Sequence, residues 1–210
     1  MRKNRMIFLA LLSLLLPVTA PAQQAEKRPG MNVNEAQQAK SERSMAQNVL
    51  AFSFNPSFIT SKVETGYGEK TWVGGLGFAA DYRCVFKCGF GFGLSYSHSQ
   101  TNYDIGHGNS IPLKLGYVGP SFVMAGPVGE RWNARLSWGL GYAHYSDDVV
   151  KDNGFGYQFI SGMECRLGSA MGFGIDITET LYSFPENPYS DNERNNFSRL
   201  GLNVGLRIYL

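Results

Sequence analysis

The sequence predicts an all-β fold, an eight-stranded antiparallel up-and-down β-barrel that crosses a membrane. Large apolar residues alternate with small or polar ones through eight segments, which is the period of half-buried strands. Charged residues make up 17% of the chain, below the roughly 25% usual for soluble domains. Polar connections of two length classes separate the segments. Together these features favour a sheet whose apolar face meets lipid.

The start of the chain is predicted to be removed before the barrel forms. Residues 1–5 are basic, residues 6–20 form an apolar run, and Ala20-Pro21-Ala22 fits a cleavage site. This arrangement indicates a signal peptide over residues 1–22 that is cleaved near Ala22. Its removal takes away three positive charges and changes the formal net charge from +2 to −1. The overall basicity therefore gives no argument for a nucleic-acid partner.

Residues 23–47 are predicted to form a polar N-terminal periplasmic arm, because they hold almost no large apolar side chains to bury. The transmembrane β-barrel is predicted over residues 48–210. Its last strand shows the alternation most plainly, since leucine, valine and isoleucine alternate there with glycine, asparagine and arginine. The eight strands are predicted at 48–60, 71–83, 89–100, 111–124, 131–145, 155–167, 171–183 and 197–210.

The connections between the predicted strands alternate in length. Short connections are predicted at 84–88, 126–130 and 168–170. Longer polar connections are predicted at 61–70, 101–110, 146–154 and 184–196. Membrane barrels show this asymmetry, with tight periplasmic turns at one end and longer extracellular loops at the other.

The apolar face of each strand is predicted to contact lipid, and the opposite face to line the lumen. That opposite face carries mostly glycine, alanine and serine with a few charges, as a narrow interior requires. In water the apolar face would form a patch far above the few hundred Å² that monomers tolerate. An open sheet in hydrocarbon would leave its edge groups unsatisfied, so the sheet must close. On the segment at 111–124 the predicted lipid-facing residues are Ile111, Leu113, Leu115 and Tyr117.

Charged residues of the strands are predicted to lie in the lumen. An interior of eight strands is just wide enough for side chains to fill, which favours ion pairing over a polar conduit. Arg135 is predicted to lie opposite Glu164, and Asp176 to lie diagonal to Arg207. A narrow channel for small solutes stays open as an alternative. The predicted lumen charges are Asp81, Arg83, Lys114, Arg135, Glu164, Arg166, Asp176, Arg199 and Arg207.

Two cysteines, Cys84 and Cys88, flank a predicted tight turn on the periplasmic side. Across such a hairpin their Cα atoms can come within disulfide range, and the compartment is oxidising, so we expect a disulfide. Cys165 is expected to act as a small hydrophobic residue. No metal site and no cofactor are predicted, because C-x₃-C without further ligands is weak evidence for zinc and no phosphate loop or dinucleotide motif occurs.

The leading apolar segment, the eight alternating strands and the alternating C-terminal strand resemble the small outer-membrane barrels of Gram-negative bacteria, the OmpA-, OmpX- and OmpW-like proteins. The polar arm and the glycine- and aromatic-rich strands are similar to the outer membrane protein beta-barrel group of Bacteroidota. The resemblance implies outer-membrane localisation, contact with outer-membrane lipid and lipopolysaccharide, and insertion by the barrel assembly machinery. Family members usually end in an aromatic residue, whereas this chain ends in Tyr209-Leu210. We expect a monomer.

A pair of residues raises one enzymatic alternative. His144 and Ser146 share the outward face at the outer end of their strand and resemble the lipid A 3-O-deacylases, in which a serine nucleophile, a histidine base and an orienting glutamate cooperate. Gln158 stands where that glutamate is expected. Glu179 also faces outward at a similar height, but two strands away, at about 4.8 Å per strand, it is beyond hydrogen-bond reach.

The sequence therefore favours a non-enzymatic protein with a structural or surface-interaction role through its extracellular loops. The acidic residues of these loops are expected to be solvated, with cation bridging to lipopolysaccharide phosphates as the alternative. These residues are Asp147, Asp148 and Asp152 in the third loop and Glu186, Asp191 and Glu193 in the fourth.

Overall fold

The computed structural model describes residues 47–61, 63–65, 68–70, 73–106, 109–147, 150–185 and 195–210. The predicted signal peptide and all but the last residue of the predicted arm lie outside these residues. No helix in the described part of the chain is both long and apolar enough to cross a membrane.

The described residues form ten β-strands. They are β1 (Gln47–Ile59), β2 (Val63–Thr65), β3 (Gly68–Lys70), β4 (Val73–Val85), β5 (Phe90–Gly106), β6 (Asn109–Pro127), β7 (Trp132–Ser146), β8 (Lys151–Arg166), β9 (Met171–Phe184) and β10 (Asn195–Tyr209). Eight of these strands close into a barrel in the order β1-β10-β9-β8-β7-β6-β5-β4, and each is antiparallel to its neighbours. The short strands β2 and β3 pair with each other in a separate two-stranded sheet. The predicted eight-stranded antiparallel barrel is confirmed.

The barrel closes where the first and last strands meet. Phe52 of β1 lies opposite Leu206 of β10 on one side and opposite Ala80 of β4 on the other. The backbone N–H of Leu210 donates to the carbonyl of Asn48 at 2.9 Å, which extends this pairing to the end of the chain. Closure supplies a partner for edge groups that would otherwise be left unsatisfied in hydrocarbon.

Short turns join the strands at one end of the barrel, which we call the short-turn end. They cover residues 86–89, 128–131 and 167–170. In the first of them Gly89 has a φ of 84°, a left-handed conformation that favours glycine, and its N–H donates to the carbonyl of Phe86 at 2.9 Å. The opposite end carries the two longest connections, between β1 and β4 and between β9 and β10, and is called the long-loop end. In outer-membrane barrels these ends face the periplasm and the exterior respectively.

The loop predicted at 101–110 is almost entirely strand, and the loops predicted at 61–70 and 146–154 also contain strand residues. Residues 101–110 were expected to connect two strands, but β5 has 17 residues and β6 has 19, and their pairing continues to Gly106 and Asn109. The hairpin therefore extends further from the short-turn end than the sequence pattern indicated.

The two faces of the barrel differ in burial as predicted on seven of its eight strands. On β10, Arg207 is fully buried whereas Leu206 on the next position is 41% exposed. The exposed set is made of large apolar residues, as a surface in contact with lipid requires. It includes Phe54, Leu76, Phe92, Leu140, Tyr157, Ile175 and Leu202.

Strand β6 is the exception, because the predicted phase of its alternation was wrong. Its apolar residues Ile111, Leu113, Leu115 and Tyr117 are buried in the lumen, and Lys114 is exposed on the outward face. The predicted assignment followed the rule that the more apolar face meets lipid. That rule fails here because this part of the lumen is itself apolar.

The outward position of Leu202, near the middle of β10, predicts a large effect of charge. Leu202→Arg is expected to lower the free energy of unfolding in lipid vesicles by about 2–4 kcal/mol, since it places a guanidinium in hydrocarbon. Urea titration followed by tryptophan fluorescence measures this change. Leu167→Arg in a short turn, where the side chain is 72% exposed, is the matched control and should have little effect. An equal loss in both variants would contradict the lipid-facing assignment.

Candidate functional site

The interior of the barrel is divided into three layers along its axis. The inward series of β9 runs from Asp176 through Thr178 and Thr180 to Tyr182 and Phe184, from the short-turn end towards the long-loop end. Charged, hydroxyl-bearing and aromatic side chains therefore follow one another at increasing distance from the short turns. Because an eight-stranded barrel has room only for side chains, the content of these layers decides what can pass.

The charged layer is a closed ring in which cations and carboxylates alternate. Arg135 lies 2.8 Å from Asp81 and 3.2 Å from Asp176, whose Oδ2 also lies 2.6 Å from Arg207. Arg207 continues the ring to Glu164 at 3.4 Å. Glu164 then contacts the third arginine, Arg83, which closes the ring at 3.3 Å from Asp81.

This charge ring contains three arginines and three carboxylates, so its formal charge is zero. Its members come from β4, β7, β8, β9 and β10, and all are buried except Asp81, which is partly exposed. Glycines on the inward face make space for it. A Cβ at Gly162 would lie 2.1 Å from Asp176 Oδ1 and 2.5 Å from a backbone oxygen, and a Cβ at Gly174 would lie 2.6 Å from the Arg207 guanidinium. The small residues noted in the sequence thus make room for large charged ones.

The structure brings together one predicted ion pair and not the other. Asp176 and Arg207 are in contact, as the alternation of β9 and β10 indicated. Arg135 lies opposite Gly162, and Glu164 lies opposite Asn133, so these two charges are not cross-strand partners. Arg135 instead reaches across the lumen to β4 and β9. Contacts across a lumen depend on barrel closure and do not follow from the order of residues in one hairpin.

Two more residues, Tyr209 and Arg166, lie between the charge ring and the short turns. The hydroxyl of Tyr209 donates to Glu164 Oε2 at 3.5 Å. The guanidinium of Arg166 lies 4.1 Å from the centre of the Tyr209 ring, in a cation–π arrangement. These contacts attach the last strand to the short-turn end of the lumen.

The middle layer is held by hydroxyl and amide groups around a buried arginine. Arg199 donates to Ser99 Oγ at 2.6 Å and to Ser97 Oγ at 2.8 Å. Asn203 donates to Thr178 at 2.6 Å and accepts a hydrogen bond from the amide of Asn55. Among the described residues, the hydrogen bonds of Arg199 go to hydroxyl oxygens, and these satisfy part of its donor capacity.

The third layer, at the long-loop end, is an aromatic plug. Tyr145 stacks on Phe197 with ring centres 5.4 Å apart, and its ring centre lies 5.7 Å from that of Phe184. Three of the four apolar residues of β6 that were expected to face lipid, Leu113, Leu115 and Tyr117, belong to this plug. The plug is formed by Ile59, Leu113, Leu115, Tyr117, Ala143, Tyr145, Tyr182, Phe184 and Phe197.

The proposed catalytic residues do not assemble. His144 Nδ1 lies 2.9 Å from Asn153 Oδ1, its cross-strand neighbour on β8. Glu179 lies opposite Phe159, six residues further along β8, or about 20 Å at the rise of a strand, so its predicted height was wrong. Gln158 points into the lumen. The outward face therefore places His144 beside an amide and far from Glu179.

The expected disulfide is not formed. Cys84, Cys88 and Cys165 are free thiols in the structure. Cys84 pairs across the hairpin with Phe92, whereas Cys88 lies in the turn beyond β4, so the two cysteines do not occupy opposed positions.

Some of the acidic residues of the predicted loops are engaged locally. Asp147 accepts hydrogen bonds from the Tyr145 hydroxyl at 2.7 Å and from the N–H of Val150 at 2.6 Å. Asp152 accepts from the N–H of Asn153 at 2.7 Å. Within the described ranges no group of three or more acidic, histidine or cysteine side chains could hold a metal ion. The remaining predicted loop acids, Asp148, Glu186, Asp191 and Glu193, lie outside the described residues.

Comparison with known proteins agrees with this architecture. The family described as outer membrane protein beta-barrel domain matches residues 8–207. Neisserial surface protein A (NspA) is 13% identical with a TM-score of 0.58, over 77% of this chain and 96% of that one. No curated protein matches the chain.

Two further solved barrels are similar at lower TM-scores. Ail of Yersinia pestis, in complex with the heparin analogue sucrose octasulfate, is 14% identical with a TM-score of 0.48, over 78% of this chain and 99% of that one. OprG of Pseudomonas aeruginosa is 9% identical with a TM-score of 0.48, over 79% and 96%. At these identities the likeness to NspA shows the fold alone, and the two lower scores support no further comparison.

The charge ring predicts a strong effect of neutralising one member. Asp176→Asn leaves two buried guanidinium groups without their shared carboxylate, so the free energy of unfolding in vesicles should fall by about 3–5 kcal/mol. Urea titration measures the loss. Asp152→Asn, which removes a carboxylate at the long-loop end of β8, is the control and should change the stability by much less. A loss below about 1 kcal/mol in Asp176→Asn would argue against a mutually dependent ring.

Proposed function

The chain belongs to the outer membrane protein beta-barrel family, and on that basis we propose that it is a non-conducting barrel with a structural and surface-interaction role in the bacterial outer membrane. It is a small integral barrel whose lumen is filled by its own side chains. Its long-loop end faces the exterior in this proposal, so the loops make its contacts with other molecules.

The main observation that supports a non-conducting barrel is the charge ring, which lies between the aromatic plug and the short turns. A solute would have to displace a neutral ring of six mutually bonded charged groups and then pass an apolar layer. Separating buried ion pairs costs several kcal/mol because each group loses its compensating charge. The same contacts tie β4, β7, β8, β9 and β10 to one another, which supports a structural element rather than a conduit.

We further propose that the protein acts as a monomer, which the barrel assembly machinery inserts after signal-peptide removal. Closure leaves no unpaired barrel edge to which a second copy could add a strand. Bridging of the loop acids to lipopolysaccharide phosphates stays a prediction for the part of the chain that the structure does not describe.

A closed lumen predicts the electrical behaviour of the pure protein. In planar lipid bilayers the folded protein should show no large, long-lived conductance, because the charge ring and the aromatic plug block the lumen. A porin reconstituted in the same bilayer gives the positive control, and gel mobility without heating verifies that the barrel is folded. Steady porin-like currents from the folded protein would refute a structural barrel and support the channel alternative.

The positions of His144, Ser146 and Glu179 lead us to propose that the protein does not hydrolyse lipid A. Mass spectrometry of lipid A from cells that express the protein should show the same acyl chains as cells without it. Expression of Ser146→Ala gives the matched control. Loss of a 3-O-acyl chain that depends on Ser146 would establish the hydrolase instead.

A further inference from the structure

Two neighbouring rows of mostly polar residues face outward at the long-loop ends of β5, β6, β7 and β8. The strand pairing places the members of each row side by side across the four strands. The upper row is Gln100, Lys114, Ser146 and Lys151. The lower row is His98, Gly116, His144 and Asn153. We call these eight residues the basic rim.

The basic rim concentrates positive charge on one side of the barrel. Lys114 and Lys151 are both exposed, and they are the outward-facing cations among the described residues of the eight barrel strands. None of the eight rim residues carries a carboxylate. The nearest outward carboxylate on the adjoining strand β9 is Glu179, which pairs with Phe159 well below Lys151 along β8. Within the eight rim residues, the two lysines therefore have no carboxylate partner.

The rim lies at the level of lipid headgroups. Lys114 is thirteen residues from Pro127, the short-turn end of β6, and Lys151 is fifteen residues from Arg166 on β8. A tilted strand crosses the hydrocarbon in about 9–11 residues, so both lysines lie beyond it.

The composition of the row next below the rim, towards the short turns, supports placing the rim at the level of the lipid headgroups. This row contains Tyr96, Val118, Tyr142 and Phe155. Aromatic residues are enriched where hydrocarbon meets headgroups. The hydroxyl of Tyr142 donates to Asn153 of the rim, which connects the aromatic row with the polar rows.

We propose that the basic rim binds the phosphate groups of an anionic lipid in the outer leaflet. Lys114 and Lys151 stand two strands apart, about 10 Å, on either side of Ser146. Their flexible stems can lie along the apolar surface while both ammonium groups reach phosphate oxygens in the headgroup layer. Neighbouring hydroxyl and amide groups supply further donors. This inference rests on the membrane placement used in the proposed function and is independent of whether the lumen conducts.

The test uses the full-length folded protein in phosphatidylcholine nanodiscs, titrated with diphosphorylated lipid A and followed by native mass spectrometry. Lys114→Gln combined with Lys151→Gln should weaken the apparent affinity roughly 10–30-fold, and the wild-type affinity should fall as salt rises. Lys87→Gln combined with Arg131→Gln removes the same charge from exposed residues of two short turns. This control should keep the wild-type affinity.

Four results would overturn the proposal. The rim variant could bind lipid A as tightly as the wild type, or the control could lose as much affinity as the rim variant. Lipid A without its phosphates could bind equally well, which would remove the phosphate from recognition. Inorganic phosphate at the same concentration could displace the lipid, which would make soluble phosphate the ligand. Bilayer recordings on the same variants distinguish failure of the lipid-binding proposal from failure of the proposed function. If the barrel does not conduct and the rim does not bind lipid A, only the lipid-binding proposal is wrong.

Discussion

Charged groups inside an eight-stranded barrel in hydrocarbon need compensating partners within the lumen, and the charge ring supplies them for its six members. Each guanidinium of the ring contacts two carboxylates, and each carboxylate contacts two guanidiniums. Such a ring is costly to bury, but it is more costly to interrupt, since the loss of one member leaves uncompensated charge on two neighbours. The positions of Gly162 and Gly174 follow from it, because a larger side chain at either would occupy the space of a ring member.

The lumen and the lipid-facing surface are two environments with different rules. Outside, the strands are mostly apolar across the hydrocarbon, and charge is least costly near the ends. Inside, the composition is free to change along the axis as long as side chains fill the space. The chain uses this freedom in its three layers. The result is a barrel whose strands are joined by buried ion pairs near the short-turn end, and whose lumen is filled by packed aromatic side chains near the long-loop end.

The outward face at the long-loop end is the part of the described surface where polar chemistry meets lipid. His144, Asn153 and Tyr142 form a hydrogen-bonded group there, next to Ser146. A hydrolase would need an aligned nucleophile, base and orienting group at this place. The structure separates the candidate carboxylate from this group by several residues along the strand, while it brings two lysines from separate strands onto the same row. This arrangement supports the proposal that the face holds an anionic headgroup rather than cleaves an ester.

The sequence by itself determined the number of barrel strands, their approximate positions, the three short turns and the inward face of seven strands. The reason is local: alternation with a period of two is imposed by the backbone of each strand and can be recognised without any neighbour. The tertiary structure alone decided the phase of β6, the partners of Arg135 and Glu164, and the distance between His144 and Glu179. On β6 both possible neighbours, lipid and the aromatic plug, are apolar, so alternation shows two faces but not which one is inside. The charge ring and the basic rim likewise depend on strand register and on closure across the lumen, which join residues far apart in the chain.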